Sequence, residues 1–245
     1  VKQLKTTVDL NYDNYITALR ESETERPLRA HRYYENQDVF IWKMPRFDLS
    51  ESKVDEMISK ASNHKALILD LRGNGGGFET TLLRLISHFY DKEVSVGEIQ
   101  RRKEKKPLVA KKRSGKGFTG QLAVLVDSES GSSAEIFARV IQLEKRGMVI
   151  GDQTAGAVMR SKYYDHTIGV DIFVAYGATI TDANLIMTDG KSLEGVGVIP
   201  DDLRLPTAAD LAAKHDPVLA YAASLVGLKL DPDKAGALFP VLWSK

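Results

Sequence analysis

The sequence predicts an α/β fold with repeated crossovers, and three observations predict it. Short apolar runs at Ala66–Leu71, Leu122–Val126 and Met148–Ile150 are too short for helices and suit buried strands. Two of these runs open into turns of small residues, after which apolar spacing becomes helical. The resulting order, strand, helix, strand, glycine turn, helix, strand, turn, helix, implies an α/β core whose crossovers are right-handed.

In chain order, Val1–Leu10 alternates loosely like a strand, and Asn11–Pro27 is polar, with Glu21–Arg26 densely charged. Residues 1–35 therefore read as a peripheral segment, the tail of an upstream module. Asp38–Phe47 is strand-like until Pro45. Ser50 caps a helix to Ser62, with Val54, Met57, Ile58 and Ala61 on one face. The Ala66–Leu71 run ends in Arg72-Gly-Asn-Gly-Gly-Gly77, and Phe78–Tyr90 resumes helical spacing. Residues 93–120 alternate and carry RRKEKK and KKRSGKG. That basic cluster suits an anionic ligand, or more simply the solvated face of a hairpin. Past Met148–Ile150 and a turn at Gly151–Gly156, residues 157–188 read as several strands, Ile168–Ala175 among them. Thr207–His215 and Pro217–Val226 read as helices on the edge of the domain. The division expected is a core at 36–205 and a C-terminal helical extension at 206–245.

The bulk numbers exclude several classes. With 245 residues, 43% apolar and 27% charged, the chain can bury a large core. A formal net charge of +1 argues against a dedicated nucleic-acid binder. The lack of Cys removes thiolate nucleophiles, disulfides and thiolate metal sites. No apolar run approaches the roughly 18 residues of a membrane span. Val1 rather than Met at the start reads as a processed product or a fragment.

The chemistry concentrates between Gln121 and Gln142. A strand runs into Asp127-Ser-Glu-Ser-Gly-Ser-Ser133 and a helix leaves it, which places a serine at a helix N-terminus. Free amides and the positive dipole end favour a developing anion there, so Ser132 suits an acyl-transfer nucleophile. Ser132 followed by Glu135 is equally an S-x-x-E capping box. Leu69–Gly77 lacks the spacing of a dinucleotide fingerprint and the Lys-Ser/Thr of a P-loop. Its consecutive glycines can turn backbone amides toward a ligand oxygen, or simply make a flexible turn.

LDLRGNGGG, SGSSAEIF, GDQTAG and SLEGVGVIPD, in that order, resemble the tail-specific or C-terminal-processing serine peptidases and the related tricorn core, over roughly residues 36–205. The resemblance implies a crotonase/Clp-protease-like core of repeated ββα units. It makes Ser132 the nucleophile and assigns the oxyanion hole to the backbone N–H groups of Ser133 and of Gly75, Gly76 and Gly77. One branch of the family follows its T-x-G turn with a catalytic lysine, where this sequence has Ala157, and four residues on a glutamine, where it has Ser161. The tricorn-like branch uses an upstream histidine and a glutamate that matches Glu194.

The resemblance thus implies a serine endopeptidase core, bacterial and extracytoplasmic, acting on a peptide or unfolded protein substrate with no cofactor and no metal. Its partners would be an upstream His-bearing segment and a PDZ-like module, and an oligomer is compatible with it. The alternative is a non-catalytic ligand- or peptide-binding module on the same fold. His31, His64, His88 and His215 read as surface or capping residues; His166 and Lys162 are the in-chain candidates for a base. The expectation is that Ser132, the oxyanion amides and Glu194 share a cleft with the base's place empty, and that a substrate strand lies along Ala157–Tyr164.

Overall fold

A computed structural model describes residues 30–115, 117–169 and 174–240. The expected strand at Val1–Leu10 lies outside the described residues, as does part of the one expected at Ile168–Ala175. The described chain builds two sheets. The first contains β1 (Arg32–Glu35), β2 (Val39–Lys43), β3 (Ala66–Asp70), β6 (Gln121–Val126), β7 (Met148–Gly151) and β10 (Asp202–Leu203). Its order is β1-β2-β3-β6-β7-β10. β1 pairs antiparallel with β2, and every later neighbour is parallel. The second sheet, β5-β4-β9-β8, is antiparallel and contains β4 (Val94–Gln100), β5 (Lys105–Ala110), β8 (Arg160–Ile168) and β9 (Val174–Met187).

The parallel strands read as continuous apolar runs because both of their faces are covered. Phe40, Trp42, Leu67, Leu69, Leu122 and Val124 face one layer, packed with α1 (Glu51–Ala61), α2 (Glu79–Ser87) and α3 (Ser133–Leu143). Side chains of the second sheet, among them Val94, Val96, Leu185 and Met187, join the same core. The alternate residues Val39, Ile41, Ala66, Ile68, Ala123 and Leu125 face the other way, onto Val218, Leu219, Ala222 and Ala223. Those four belong to α5 (Pro217–Leu225), which follows α4 (Ala208–Ala213) and precedes α6 (Pro232–Leu238).

Two placements differ from the sequence reading. Arg32–Glu35, inside the stretch read as peripheral, is an edge strand of the central sheet; Tyr33 stacks on Phe40 with ring centroids 5.2 Å apart. α5 covers a sheet face instead of standing at the domain edge, because its Val, Leu and Ala side chains are what bury the second apolar set of β2, β3 and β6. Ser50 caps α1 as its spacing predicts, accepting from Lys53 N–H.

β8 and β9 form a long hairpin that leaves the second sheet. β9 pairs with β4 only over Asn184–Met187, whereas Val174–Ala183 pairs with β8 alone. All nine residues of β8 are exposed.

Candidate active site

Three turns meet at the carboxyl ends of β3, β6 and β7, the edge where open parallel sheets place their sites. They are the glycine loop after β3, the serine turn after β6 and the Thr154-Ala-Gly-Ala157 turn after β7. Hydrogen bonds lock the three together.

Asn74 fixes the glycine loop. Its side chain is fully buried, donates to Met44 O at 2.7 Å and accepts from Gly76 N–H at 2.8 Å, while its carbonyl accepts from Gly131 N–H. Asp127 joins the same loop to the serine turn by accepting from Gly73 N–H at 2.8 Å. Gly76 has φ +97°, and a Cβ built on it would lie 2.5 Å from Ser132 Cβ and 3.0 Å from Ser133 N. The loop therefore passes directly over the serine, at a distance only glycine permits.

Ser132 itself has φ 53° and ψ −119° at the N-cap of α3. A non-glycine residue in that region stores about 1–3 kcal/mol of strain and persists only where its surroundings impose it. Here they do: Ser132 N–H is shared between Ala157 O and Glu135 Oε2, each at 2.9 Å. The serine hydroxyl approaches Glu135 N–H in the manner of a capping box, without making a side-chain cap hydrogen bond. The next amide, Ser133 N–H, has no hydrogen-bond partner among the described residues and lies under the glycine loop.

Of the three loop amides expected to face an oxyanion, that of Gly76 is spent inside the loop on Asn74. Gly75 and Gly77 N–H have no partner among the described residues. Among the described residues, the amides of that expected set without a protein partner are those of Ser133, Gly75 and Gly77.

Glu135 does more than cap. Its carboxylate is fully buried and accepts from Ser132 N–H, Thr154 Oγ1, Gly156 N–H and Ala157 N–H at 2.6–2.9 Å. Four donors satisfy a buried carboxylate that would otherwise be costly, and they clamp the turn after β7 against the serine. The S-x-x-E spacing signals only the local half of this arrangement; the donors at 154–157 are remote in sequence.

Beneath the site lies a second polar cluster. Asp70, fully buried, pairs with Lys43 at 3.1 Å and Arg72 at 2.8 Å, and Arg72 reaches Asp216, the N-cap of α5, at 2.6 Å. Burial alone would raise the Asp70 carboxyl, but Arg72 and Lys43 outweigh it and hold it well below the ordinary carboxylate range. Burial pulls the Lys43 ammonium down, against Asp70. Asp70 and Arg72 lie within the glycine motif itself, but Asp216, the other carboxylate that Arg72 bonds, is 144 residues beyond it, where no local pattern points to it.

Glu194 sits beside the strand that leaves the Thr154–Ala157 turn. Its Oε2 accepts from Val158 and Met159 N–H at 2.8 and 3.0 Å, and no histidine reaches it among the described residues. The histidines are employed elsewhere. His31 pairs with Asp48 at 3.0 Å, and His64 bonds Lys60 O at 3.1 Å. His215 is held by its backbone, and His166 stacks on Tyr176 in the hairpin. His88 takes the capping role of the two read for it, at the C-terminus of α2, and is buried there with Nε2 2.7 Å from Asp55. Lys162 lies over the Tyr164 ring at 5.1 Å. No His or Lys nitrogen makes a hydrogen bond to Ser132 among the described residues.

The chain is 28% identical over 181 residues to the carboxy-terminal processing protease CtpA of Bacillus subtilis, covering 71% of this chain and 38% of that protein. It is 27% identical over 194 residues to the tail-specific protease of Haemophilus influenzae, covering 76% and 28% respectively. This chain thus spans well under half the length of the curated relatives it matches. Its fold is similar to that of the tricorn protease, with a TM-score of 0.55 and 22% identity over 88% of this chain and 19% of that one. The sequence pattern of Peptidase family S41 matches residues 39–203, from the first residue of β2 to the last of β10, which is the stretch that builds all three turns and the parallel sheet beneath them; the chain belongs to that family.

Proposed function

We propose that this chain is the catalytic core of a serine endopeptidase that cleaves peptides or unstructured protein tails through an acyl-enzyme. The observation that carries the reading is the strained Ser132, held at a helix N-terminus against the glycine loop with the Ser133 amide unengaged. In this reading Ser132 Oγ attacks the scissile carbonyl carbon and loses its proton to a base. The carbonyl oxygen becomes an oxyanion held by Ser133 N–H and by Gly75 or Gly77 N–H. The base returns the proton to the departing amine, and water then hydrolyses the ester, with the same base activating the water and returning the proton to Ser132.

The base comes from outside the described residues, since none of the five histidines is placed to accept the proton. An imidazole supplied by an upstream segment or a partner subunit would lie between Ser132 and Glu194, whose second carboxylate oxygen is free of partners among the described residues. The names of the relatives, carboxy-terminal processing and tail-specific protease, support cleavage near C-termini. A PDZ-like module and an extracytoplasmic setting rest on the family resemblance alone. The second reading is a peptide-binding module that retains the turn without chemistry, favoured by Ala157 standing where one branch of the family carries its lysine.

Ser132→Ala decides between them. Ser132 makes no side-chain cap hydrogen bond, so its change to Ala costs no more than the roughly 1 kcal/mol of a lost cap and the variant remains folded. In the protein together with its base-bearing segment, hydrolysis and labelling by an alkyl phosphonate both disappear in Ser132→Ala, with a loss in turnover on the order of 10⁶-fold. Turnover unchanged by the substitution would refute the nucleophile.

A further inference from the structure

The β8–β9 hairpin has two unlike faces, and both are open to solvent. Cross-strand pairing puts Lys162 opposite Ile180, Tyr164 opposite Ala178 and His166 opposite Tyr176, with Ile168 next along the same face. The other face carries Ser161, Asp165 and Thr167 with Thr179 and Thr181, and a single large ring, Tyr163, 60% exposed. Tyr164, Ile168, Tyr176 and Ile180 are 42%, 64%, 54% and 54% exposed, and all four lie on the first face. An antiparallel ribbon that sorts apolar from polar side chains in this way is patterned to bury one face. A two-stranded ribbon is only marginally stable alone, which adds to the need for a cover.

Charge and position say what covers it. Between Lys162 and Ile168 the apolar face bears one charged side chain, Lys162, and no carboxylate, and Lys162 has no acidic partner among the described residues. A second copy laid face to face would oppose one Lys162 to the other, whereas an apolar segment bearing carboxylates would complement that ammonium. β8 starts three residues after Ala157, whose carbonyl accepts the Ser132 N–H. At about 3.3 Å per residue, Lys162 lies roughly 17 Å and Ile168 roughly 36 Å of extended chain from that contact.

We propose that this face docks an unfolded segment of the substrate itself, rich in apolar side chains interspersed with carboxylates, roughly five to ten residues from the bond presented to Ser132. The identification of the occupant as substrate rests on the peptidase reading. The docking itself is a property of the ribbon, with aromatic rings and a strand face supplying the contact area and Lys162 the charge selection.

The test measures binding, not cleavage, so that failure of the chemistry and failure of the docking are separable. Fluorescence anisotropy follows a labelled unstructured peptide alternating Ile or Phe with Glu, added to the Ser132→Ala chain. A second peptide carries Ser for the apolar residues and Lys for Glu. The expected result is at least about tenfold tighter binding of the first peptide. In the Tyr164→Ser/Ile180→Ser double variant that advantage is lost. Lys162→Glu, a milder surface change that keeps the test standing if the double variant fails to fold, weakens the acidic peptide about tenfold and favours a Lys-bearing version. Equal binding of the two peptides, or affinities unmoved in both variants, overturns the proposal. A concentration-dependent dimer that dissociates in the double variant assigns the face to a second copy and overturns it equally.

Discussion

The central sheet and the β8–β9 ribbon are both built from β-branched and aromatic residues, but they stand in opposite surroundings. In β3 every residue is buried, with Leu67 and Leu69 under one helical layer and Ala66 and Ile68 under α5. In β8 every residue is exposed. The first arrangement fixes the ends of its strands, and the three turns that carry Ser132, the glycine loop and the Glu135 clamp grow from those ends. The second leaves backbone edges and side chains free beside the same site. The difference teaches a division of labour: positional rigidity comes from the doubly covered sheet, and contact area for a long substrate comes from the ribbon.

If that division holds, substitutions in the platform cost folding or turnover, whereas a single surface substitution in the ribbon leaves folding and the turnover of short peptides unchanged. The largest expected effect is that of Arg72→Ala. It removes one of the two cations paired with fully buried Asp70, leaving Lys43, and takes the ion partner from Asp216 of α5. Breaking a buried pair in this way costs about 3–5 kcal/mol, read from the urea midpoint. Tyr163→Ser in the ribbon stays within about 0.5 kcal/mol of the parent. Comparable losses in the two variants would break the comparison.

Gly76→Ala sharpens it from the side of the chemistry. The new methyl would meet Ser132 Cβ while holding a positive φ that alanine disfavours, so the loop must retreat from the serine. The expected loss in kcat/KM is about 10²-fold, measured on the active protein with a short peptide that does not reach the ribbon. A variant with unchanged kcat/KM would mean that the close passage of the loop over Ser132 is not needed for turnover.

Acid titration gives the smallest effect. The hydrogen bond from Arg84 holds the Asp55 carboxyl at about 2, from an ordinary 3.8, so its ionised form favours the fold. That contribution is present above the ordinary value and is lost as pH falls from about 4 to 2. His88, pulled below its ordinary 6.5 mainly by burial, favours the fold when neutral, and its contribution shrinks as pH falls below that value. Both signs agree: stability is flat above about pH 7 and declines on acidification. Asp55 is partly exposed, so its share is about 1 kcal/mol after solvent screening. Urea melts of Asp55→Asn between about pH 2 and 5 should show that lowest limb flattened, and an unflattened limb would assign the acid sensitivity elsewhere.

Local pattern makes much of this molecule legible from its residues alone. The apolar runs at Ala66–Leu71 and Leu122–Val126 are β3 and β6, and the serine turn ends at the N-terminus of α3. Pattern is blind where the deciding contact is distant in sequence. Glu135 reads as half of a capping box because its three donors at Thr154, Gly156 and Ala157 arrive from the turn after β7. Asn74 reads as a turn residue, although its buried amide spans Met44 and Gly76. α6 has no clear signature because a single buried Ala235 carries little periodicity. The sorting of ribbon side chains onto two faces depends on strand register, which alternation alone does not set between β8 and β9.

Ser132 as a preorganised nucleophile, with its base outside the described residues, is tested most directly by one rate. That rate is phosphonylation of Ser132 by an alkyl fluorophosphonate in this 245-residue chain at neutral pH, with and without added imidazole, followed by intact-mass and peptide mass spectrometry. The expected result is slow labelling confined to Ser132, accelerated by imidazole acting as the base and absent in Ser132→Ala. Fast labelling that imidazole does not change would place a working base within the chain, and labelling at another residue would contradict the assignment of the nucleophile.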